Sequence, residues 1–210
     1  EAILNYIALL GWSPEDEEIL SLDDLIQQFN IAHISKSPAI FDIDKLKWMN
    51  GVYLRNMSLE QFHELLLPYY QSITRDVDLL ELSRVLQPRL EKLSDVEESI
   101  DFINEPHPFD ASIYTHKKMK TNPENSLEAL LLVRERIENF NEFDNDEAMS
   151  DFFVNLAKEK ELKNGRIMWP VRVALTNKSF TPGGAVEIAH ILGKEETLRR
   201  IDQAIIDLQQ

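Results

Sequence analysis

Cysteine is absent from this 210-residue chain. Disulfides and thiolate zinc sites are therefore excluded, and a reducing, cytoplasmic compartment is the expectation. Glycine is scarce, with six residues and a single Gly-Gly pair at 183–184. No GxGxxG, Walker or GxSxG loop occurs, and none of the five histidines sits at HExxH-like spacing, so neither a phosphate cradle nor a metal site is expected. No apolar run approaches the ~20 residues of a membrane span. Glu1-Ala-Ile-Leu-Asn-Tyr-Ile-Ala-Leu-Leu-Gly-Trp12 carries no basic stretch and is not a signal peptide. It opens inside a helical pattern without Met, as a piece of a longer protein would. Cations are the minority charge, 22 Lys and Arg against 37 Asp and Glu, for a net charge of -15. One large basic face is thereby disfavoured, and with it bulk attraction to nucleic acid. A local patch still works, because distant acids are screened beyond roughly 10 Å at ordinary salt.

What remains is helix. Alternating strand patterns are nearly missing, and 3.6-period stripes recur from end to end, so the chain is expected to be all-α. The spacing predicts a helix over 1–12, with an apolar stripe of Ile3, Leu4, Ile7, Ala8 and Leu10 and closed at Gly11, and a short one over 21–29 with Ser21 as N-cap. Glu15, Asp16, Glu17 and Glu18 read as a solvated loop. A loop pinned by Pro38 leads to Asp42, which caps a helix ending or bending at Gly51, with Ile43, Leu46 and Met49 on one face. Ser58 and Gln61 match a capping box for a helix to Leu67. A leucine stripe, Leu79, Leu82, Leu86, Leu90 and Leu93, predicts a helix over 75–93 with a break just before Arg89, forced by Pro88. Further helices are predicted over 96–102, 122–143, 145–163, 185–192 and 194–208, the last two divided at Gly193.

The stretch from Lys163 to Gly184 carries Lys163, Arg166, Arg172 and Lys178 with no Asp or Glu. In an acidic chain this local excess of cations is the strongest functional signal. Arg166, Trp169, Arg172 and Phe180 can cradle an unstacked RNA loop, with bases on the aromatics and hydrogen bonds to Arg; they can equally be structural. Trp48 with Lys45, Lys47 and Arg55 can meet a nucleic-acid backbone, or Trp48 is core and the lysines solvated. Lys117, Lys118 and Lys120 form a small basic run. His190 lies on an apolar helix face and reads as a core or edge residue. His33-Ile-Ser-Lys-Ser37 superficially resembles the Lys-Met-Ser-Lys-Ser loop of class I aminoacyl-tRNA synthetases, but its first Lys is His, and it reads as a capping loop.

Six stretches, in order, resemble the C-terminal half of bacterial glutamyl-tRNA synthetases. They are 1–12, Ser35-Lys-Ser-Pro-Ala-Ile-Phe-Asp42, Lys45-Leu-Lys-Trp-Met-Asn-Gly51, Gln87-Pro-Arg-Leu90, Trp169-Pro-Val-Arg-Val-Ala-Leu-Thr176 and Ile191-Leu-Gly-Lys194. The resemblance implies a stem-contact region over 1–58 and a two-part α-helical anticodon-binding domain over 59–116 and 117–210. It implies that the catalytic domain lies outside this chain, which alone would be an inactive portion of glutamate–tRNA ligase. ATP with Mg would serve only the full-length enzyme, and this chain would hold no cofactor and no catalytic residue. The implied partner is the tRNA for glutamate, bound by a monomer without DNA or membrane. By position, Lys45 and Trp48 match the D-arm contact, and Arg89 matches the arginine that reads the base separating glutamate from glutamine anticodons. Arg172, Thr181 and Pro182 match the anticodon-loop pocket. Gly183-Gly184 departs from the family's single Gly followed by a bulky residue, so no base contact is carried over just after Pro182. The alternative reading is a helical protein–protein interaction module, for which acidic charge and amphipathic helices suffice.

Overall fold

The computed structural model describes residues 1–14, 17–35 and 39–210. The expected loops at Glu15, Asp16 and Lys36–Pro38 therefore lie outside the described residues. Among the described residues there are ten α-helices and no strand, only two isolated bridges. None of the helices is long and apolar enough to cross a membrane.

Local capping chemistry sets many of the helix starts. Helix α1 (Ala2–Gly11) ends at Trp12, and α2 (Leu22–Gln28) opens with a reciprocal Ser21–Asp24 capping box. Asp42 accepts from the Asp44 and Lys45 N–H groups to start α3 (Ile43–Asn56). Ser58 and Gln61 form the expected box at α4 (Leu59–Leu66). Asp78 opens α5 (Leu79–Leu86), so the segment from Arg75 is not helical, because the cap lies three residues later than the leucine stripe suggested. Pro88 then breaks the chain as expected, and the short α6 (Val96–Ile100) follows. Asn122 and Asn145 cap α7 (Pro123–Ile137) and α8 (Asp146–Glu159). Helix α9 (Asn164–Thr176) contains Pro170. Finally, α10 (Ala185–Leu208) is interrupted at Gly193, whose φ of 72° is the left-handed stop that a Gly tolerates without Cβ strain.

Two expectations change, one about a helix end and one about faces. Helix α3 does not stop at Gly51 but runs on to Asn56, because a mid-helix Gly costs only about 1 kcal/mol and Met49 and Leu54 on either side are buried. Helix α1 buries Ala2, Asn5 and Tyr6 and leaves Ile3, Leu4 and Ile7 exposed; Ile43 is exposed as well.

The core is uneven. One continuous apolar cluster runs from Leu54 through α4, α5 and α7–α10 to Ile205. A second, separate cluster consists of Trp12, Leu20 and Leu25. The buried Arg200 ties the large cluster together: its guanidinium donates to the Phe102, Ile103 and Leu175 carbonyls at 2.5–2.8 Å and to Glu196 at 2.5 Å. Burial alone would raise the Glu196 carboxyl, but the hydrogen bonds from Arg199 and Arg200 outweigh it and hold it below the usual carboxylate range.

Candidate nucleic-acid interface

The loop after α9 is shaped by α9's own side chains. Asn177 takes a left-handed φ of 50° and ends the helix, while its side chain donates to the His107 carbonyl at 2.8 Å. Arg172 reaches over the loop: Nη1 donates to Thr181 Oγ1 at 2.8 Å and Nη2 to the Ser179 carbonyl at 2.9 Å. Its guanidinium lies over the Trp169 ring, 4.3 Å from the centroid. Burial lowers the Arg172 pKa from its ordinary value, yet an arginine remains charged at neutral pH. The Thr181 hydroxyl also donates to the Gly183 carbonyl at 2.7 Å. Lys178 turns away to Asp101 at 2.8 Å and the Glu98 carbonyl. Held on both sides in this way, the loop presents Phe180 with 87% of its surface exposed.

Arg89 approaches this loop from the break after α5. Its Nη1 donates to the Val85 carbonyl at 2.8 Å, and Nη2 lies 3.3 Å from Glu187 Oε1. The other Glu187 oxygen caps α10 by accepting from the Gly184 N–H at 2.9 Å. The guanidinium is thus fixed between two helix ends while close to half of the side chain stays exposed, which leaves part of its fork open to a ligand. Arg89, Phe180, Thr181 and Pro182 line one open cleft of ≈ 550 Å³, together with residues of 98–99, 107–113 and 177–179.

The structure therefore brings Arg89, Thr181 and Pro182 together, with Arg172 joined to them through Thr181. Pro182 is buried and Thr181's hydroxyl is satisfied within the protein, so both offer the cleft shape and backbone more than free side-chain donors. Lys45 and Trp48 lie apart, on α3. Lys45 Nζ pairs with Glu18 Oε1 at 3.0 Å, a partly exposed pair that a phosphate can displace at little cost. Trp48 is 45% exposed.

The aromatic–basic group around α9 divides. Trp169 donates Nε1–H to the Ile113 carbonyl at 3.0 Å and its ring packs on His116 at 4.0 Å, so it is structural. Arg166 bonds the Lys120 carbonyl at 2.6 Å. Of the four, only Phe180 stands open as a stacking surface. The residues of 98–113 on the cleft wall have no local sequence signal, since packing against the distant α9 loop brings them there.

His190, at the edge of the core, bonds Asp146 Oδ1 at 2.7 Å and lies 3.8 Å from Glu81 Oε1. Burial would raise the Asp146 carboxyl, but hydrogen bonds from His190 and Arg84 bring it below the usual range. Glu81, Asp146 and His190 are spaced for a cation. Arg84, however, pairs with both carboxylates and so supplies the positive charge itself.

The family model described as an anticodon binding domain matches residues 61–205, and that of the class I tRNA synthetases (E and Q), catalytic domain, matches 1–48. The glutamate–tRNA ligase of Clostridium tetani is 55% identical across all of this chain, which covers 43% of that protein. For that of Clostridium acetobutylicum the identity is 49%, again over the whole chain and 44% of the relative. The chain thus spans less than half the length of these relatives. A crystal structure of a glutamate tRNA ligase from Elizabethkingia meningosepticum superimposes with a TM-score of 0.79 at 31% identity, over 99% of this chain and 41% of that one.

Proposed function

This chain belongs to the anticodon-binding domain family, and we propose that it is the tRNA-recognising portion of a glutamate–tRNA ligase acting in the cytoplasm. In this reading 59–116 and 117–210 form the two helical parts of the anticodon-binding domain, and 1–58 the stem-contact region. Arg89 reads the third anticodon base, and the loop held by Arg172, with Thr181 and Pro182, receives the neighbouring bases. Lys45 and Trp48 meet the D-arm. The chain works as a monomer on tRNA, without DNA or membrane.

The observation that carries the reading is the meeting of Arg89 with the Ser179–Pro182 loop across one open cleft. An arginine fork anchored on one side and free on the other matches the edge of a single base, and a wrong base leaves the donors of its free side unpaired once it covers them. Phe180 at the rim offers a stacking face for an unpaired nucleotide.

The full-length ligase would use ATP with Mg. The described residues do not fit those ligands: the Glu81–Asp146–His190 group is already bridged by Arg84, and the Gly184 cap is closed by Glu187. No step of amino-acid activation is assigned to this chain, which alone would not aminoacylate.

Titration with glutamate tRNA, and with a transcript changed only at the third anticodon base, tests the proposal at low and moderate salt. The expected cost of the base change is about 1–3 kcal/mol, and Arg89→Ala should remove that difference. Equal binding of both transcripts by the unaltered chain would overturn base reading by Arg89. Absence of binding at either salt would favour the helical protein–protein module, for which the exposed Ile3, Leu4 and Ile7 face is the supporting observation.

A further inference from the structure

Two cationic stretches far apart in sequence meet at the N-terminal end of α9. The first is a closed turn. His116 and Thr121 exchange both backbone hydrogen bonds, at 3.1 and 3.2 Å, and the Met119 N–H donates to His116 Nδ1 at 3.1 Å. Lys120 completes the turn with a φ of 59°. Within it Met119 is tucked inward against Gly165, where a Cβ would meet its sulfur and force the methionine side chain to shift. Lys117, Lys118 and Lys120 point their exposed side chains outward. The second stretch is Lys160, Lys163 and Arg166. It is joined to the first by the Arg166 Nη1 bond to the Lys120 carbonyl, 2.6 Å long.

Charge at this place runs against the rest of the molecule. None of these six cations is in an ion pair among the described residues; Arg55, Lys158, Arg172 and Lys194 share that state singly, whereas Arg75, Arg84, Arg89, Arg134, Lys178 and Arg199 are all paired. The nearby acids are Glu124, Glu128, Glu159 and Glu161, and of these Glu159 lies 3.8 Å from Arg136. Helix α9 has no side chain capping its first N–H groups, which adds partial positive charge at the same end. Lysines without ion-pair partners, on a turn closed by the His116–Thr121 bonds and tied to α9 through Arg166, form a cationic ridge on a chain of net charge -15.

The ridge is continuous with the cleft. The His116 ring, next to Lys117, packs on Trp169 at 4.0 Å; Arg172 lies over Trp169 at 4.3 Å; and Arg172 holds Thr181 at 2.8 Å. Ile113, three residues before the turn, itself lines the cleft. A polyanion seated in the cleft therefore meets the ridge on the same flank of α9.

We propose that Lys117, Lys118, Lys120, Lys160, Lys163 and Arg166 hold the sugar–phosphate backbone of the RNA whose bases enter the cleft. The proposal rests on the tRNA-recognition reading given above. It adds a site that carries affinity and register, with no part in base choice. Phosphate contacts act through charge alone, so their signature is salt dependence that is uniform across sequences.

The experiment compares the unaltered chain with the double variant Lys117→Ala/Lys118→Ala and with Glu128→Lys, using the glutamate tRNA transcript and its third-base variant between low and moderate salt. Both changes lie on exposed side chains, and matching unfolding midpoints confirm the fold. The double variant should bind both transcripts about tenfold more weakly, with a salt slope shallower by roughly 1.4–1.8. The ratio between the two transcripts should stay constant. Glu128→Lys should strengthen binding of both by roughly threefold. Normal binding with an unchanged slope in the double variant overturns the ridge while leaving base reading by Arg89 intact. Loss of discrimination in the double variant also overturns it, because the lysines would then act on base choice. If the unaltered chain binds no tRNA, both this proposal and the reading beneath it fall.

Discussion

Residues 1–48 and the body from Leu54 to Ile205 are both helical, yet they hold themselves together differently. The body closes one apolar core across α4, α5 and α7–α10. Among its described residues the first region gathers Trp12, Leu20 and Leu25 into a small cluster of its own, with Ala2 and Tyr6 buried outside it. Among the described residues nineteen large apolar side chains are exposed, and twelve of them lie before residue 49. Helix content alone thus says little about self-sufficiency; what matters is whether the apolar stripes find one another. The contrast also weights the candidate contacts. An exposed Trp48 stands in a region where apolar exposure is common, so exposure by itself singles it out weakly. Phe180 stands on a body where few such side chains are exposed, and its loop is fixed by Arg172 on both sides.

The sharpest way to break the comparison is to open the body from inside. Arg200→Ala removes the donors from the Phe102, Ile103 and Leu175 carbonyls and the partner from Glu196. A loss of about 3–5 kcal/mol is expected from leaving such groups buried without partners, read as a lower urea midpoint. Acid reaches the same joint from the other side. Glu196's folded pKa is depressed, so its stabilisation is present above the ordinary glutamate value and lost as pH falls through the lower folded value. Stability of the body should therefore drop on acidification across that window, and more weakly so in Glu196→Gln.

A smaller effect is expected at the clasp that fastens the first region. Buried Asn5 accepts from the Leu20 N–H at 3.0 Å, and the Tyr53 hydroxyl lies 2.8 Å from the same Oδ1 and 2.6 Å from the Leu20 carbonyl. Asn5→Ala strands the Leu20 N–H, at a cost of about 1–3 kcal/mol. If the two regions are held independently, amide exchange should speed up across 2–28 and stay unchanged across α7–α10. Equal acceleration in both would show a single cooperative unit and dissolve the contrast.

These differences explain what was legible in the sequence. Caps are written within four residues, so Ser21, Asp42 and Ser58 were readable, as were the stops at Pro88 and Gly193. Arg89, Thr181 and Pro182 were found through the resemblance, and the cleft unites them. Illegible were the pairings that fold topology creates: Lys178 with Asp101, Arg84 with Asp146, Arg166 with the carbonyl of Lys120. A cation excess in sequence does not say which cations the fold neutralises, and Lys178 is neutralised while Lys117 and Lys118 are not. Periodicity likewise marked an apolar stripe on α1 without saying what, if anything, covers it.

That stripe, together with the exposed Ile26 on α2, gives the smallest and most discriminating prediction. Ile3→Gln and Ile26→Gln replace side chains that are 63% and 69% exposed, on helices where Gln is at least as favourable as Ile. Unfolding free energy should change by no more than about 0.5 kcal/mol in either direction. Leu82→Ala, at a fully buried position in the body, should cost about 2–5 kcal/mol under the same conditions. A loss above 1 kcal/mol at Ile3, growing with protein concentration, would mean that α1 is covered by a second copy of the chain. The region would then complete its core between molecules, and the monomeric reading would fail with it. Concentration-independent midpoints in all three variants leave α1 as an open apolar face on a chain whose body is already closed.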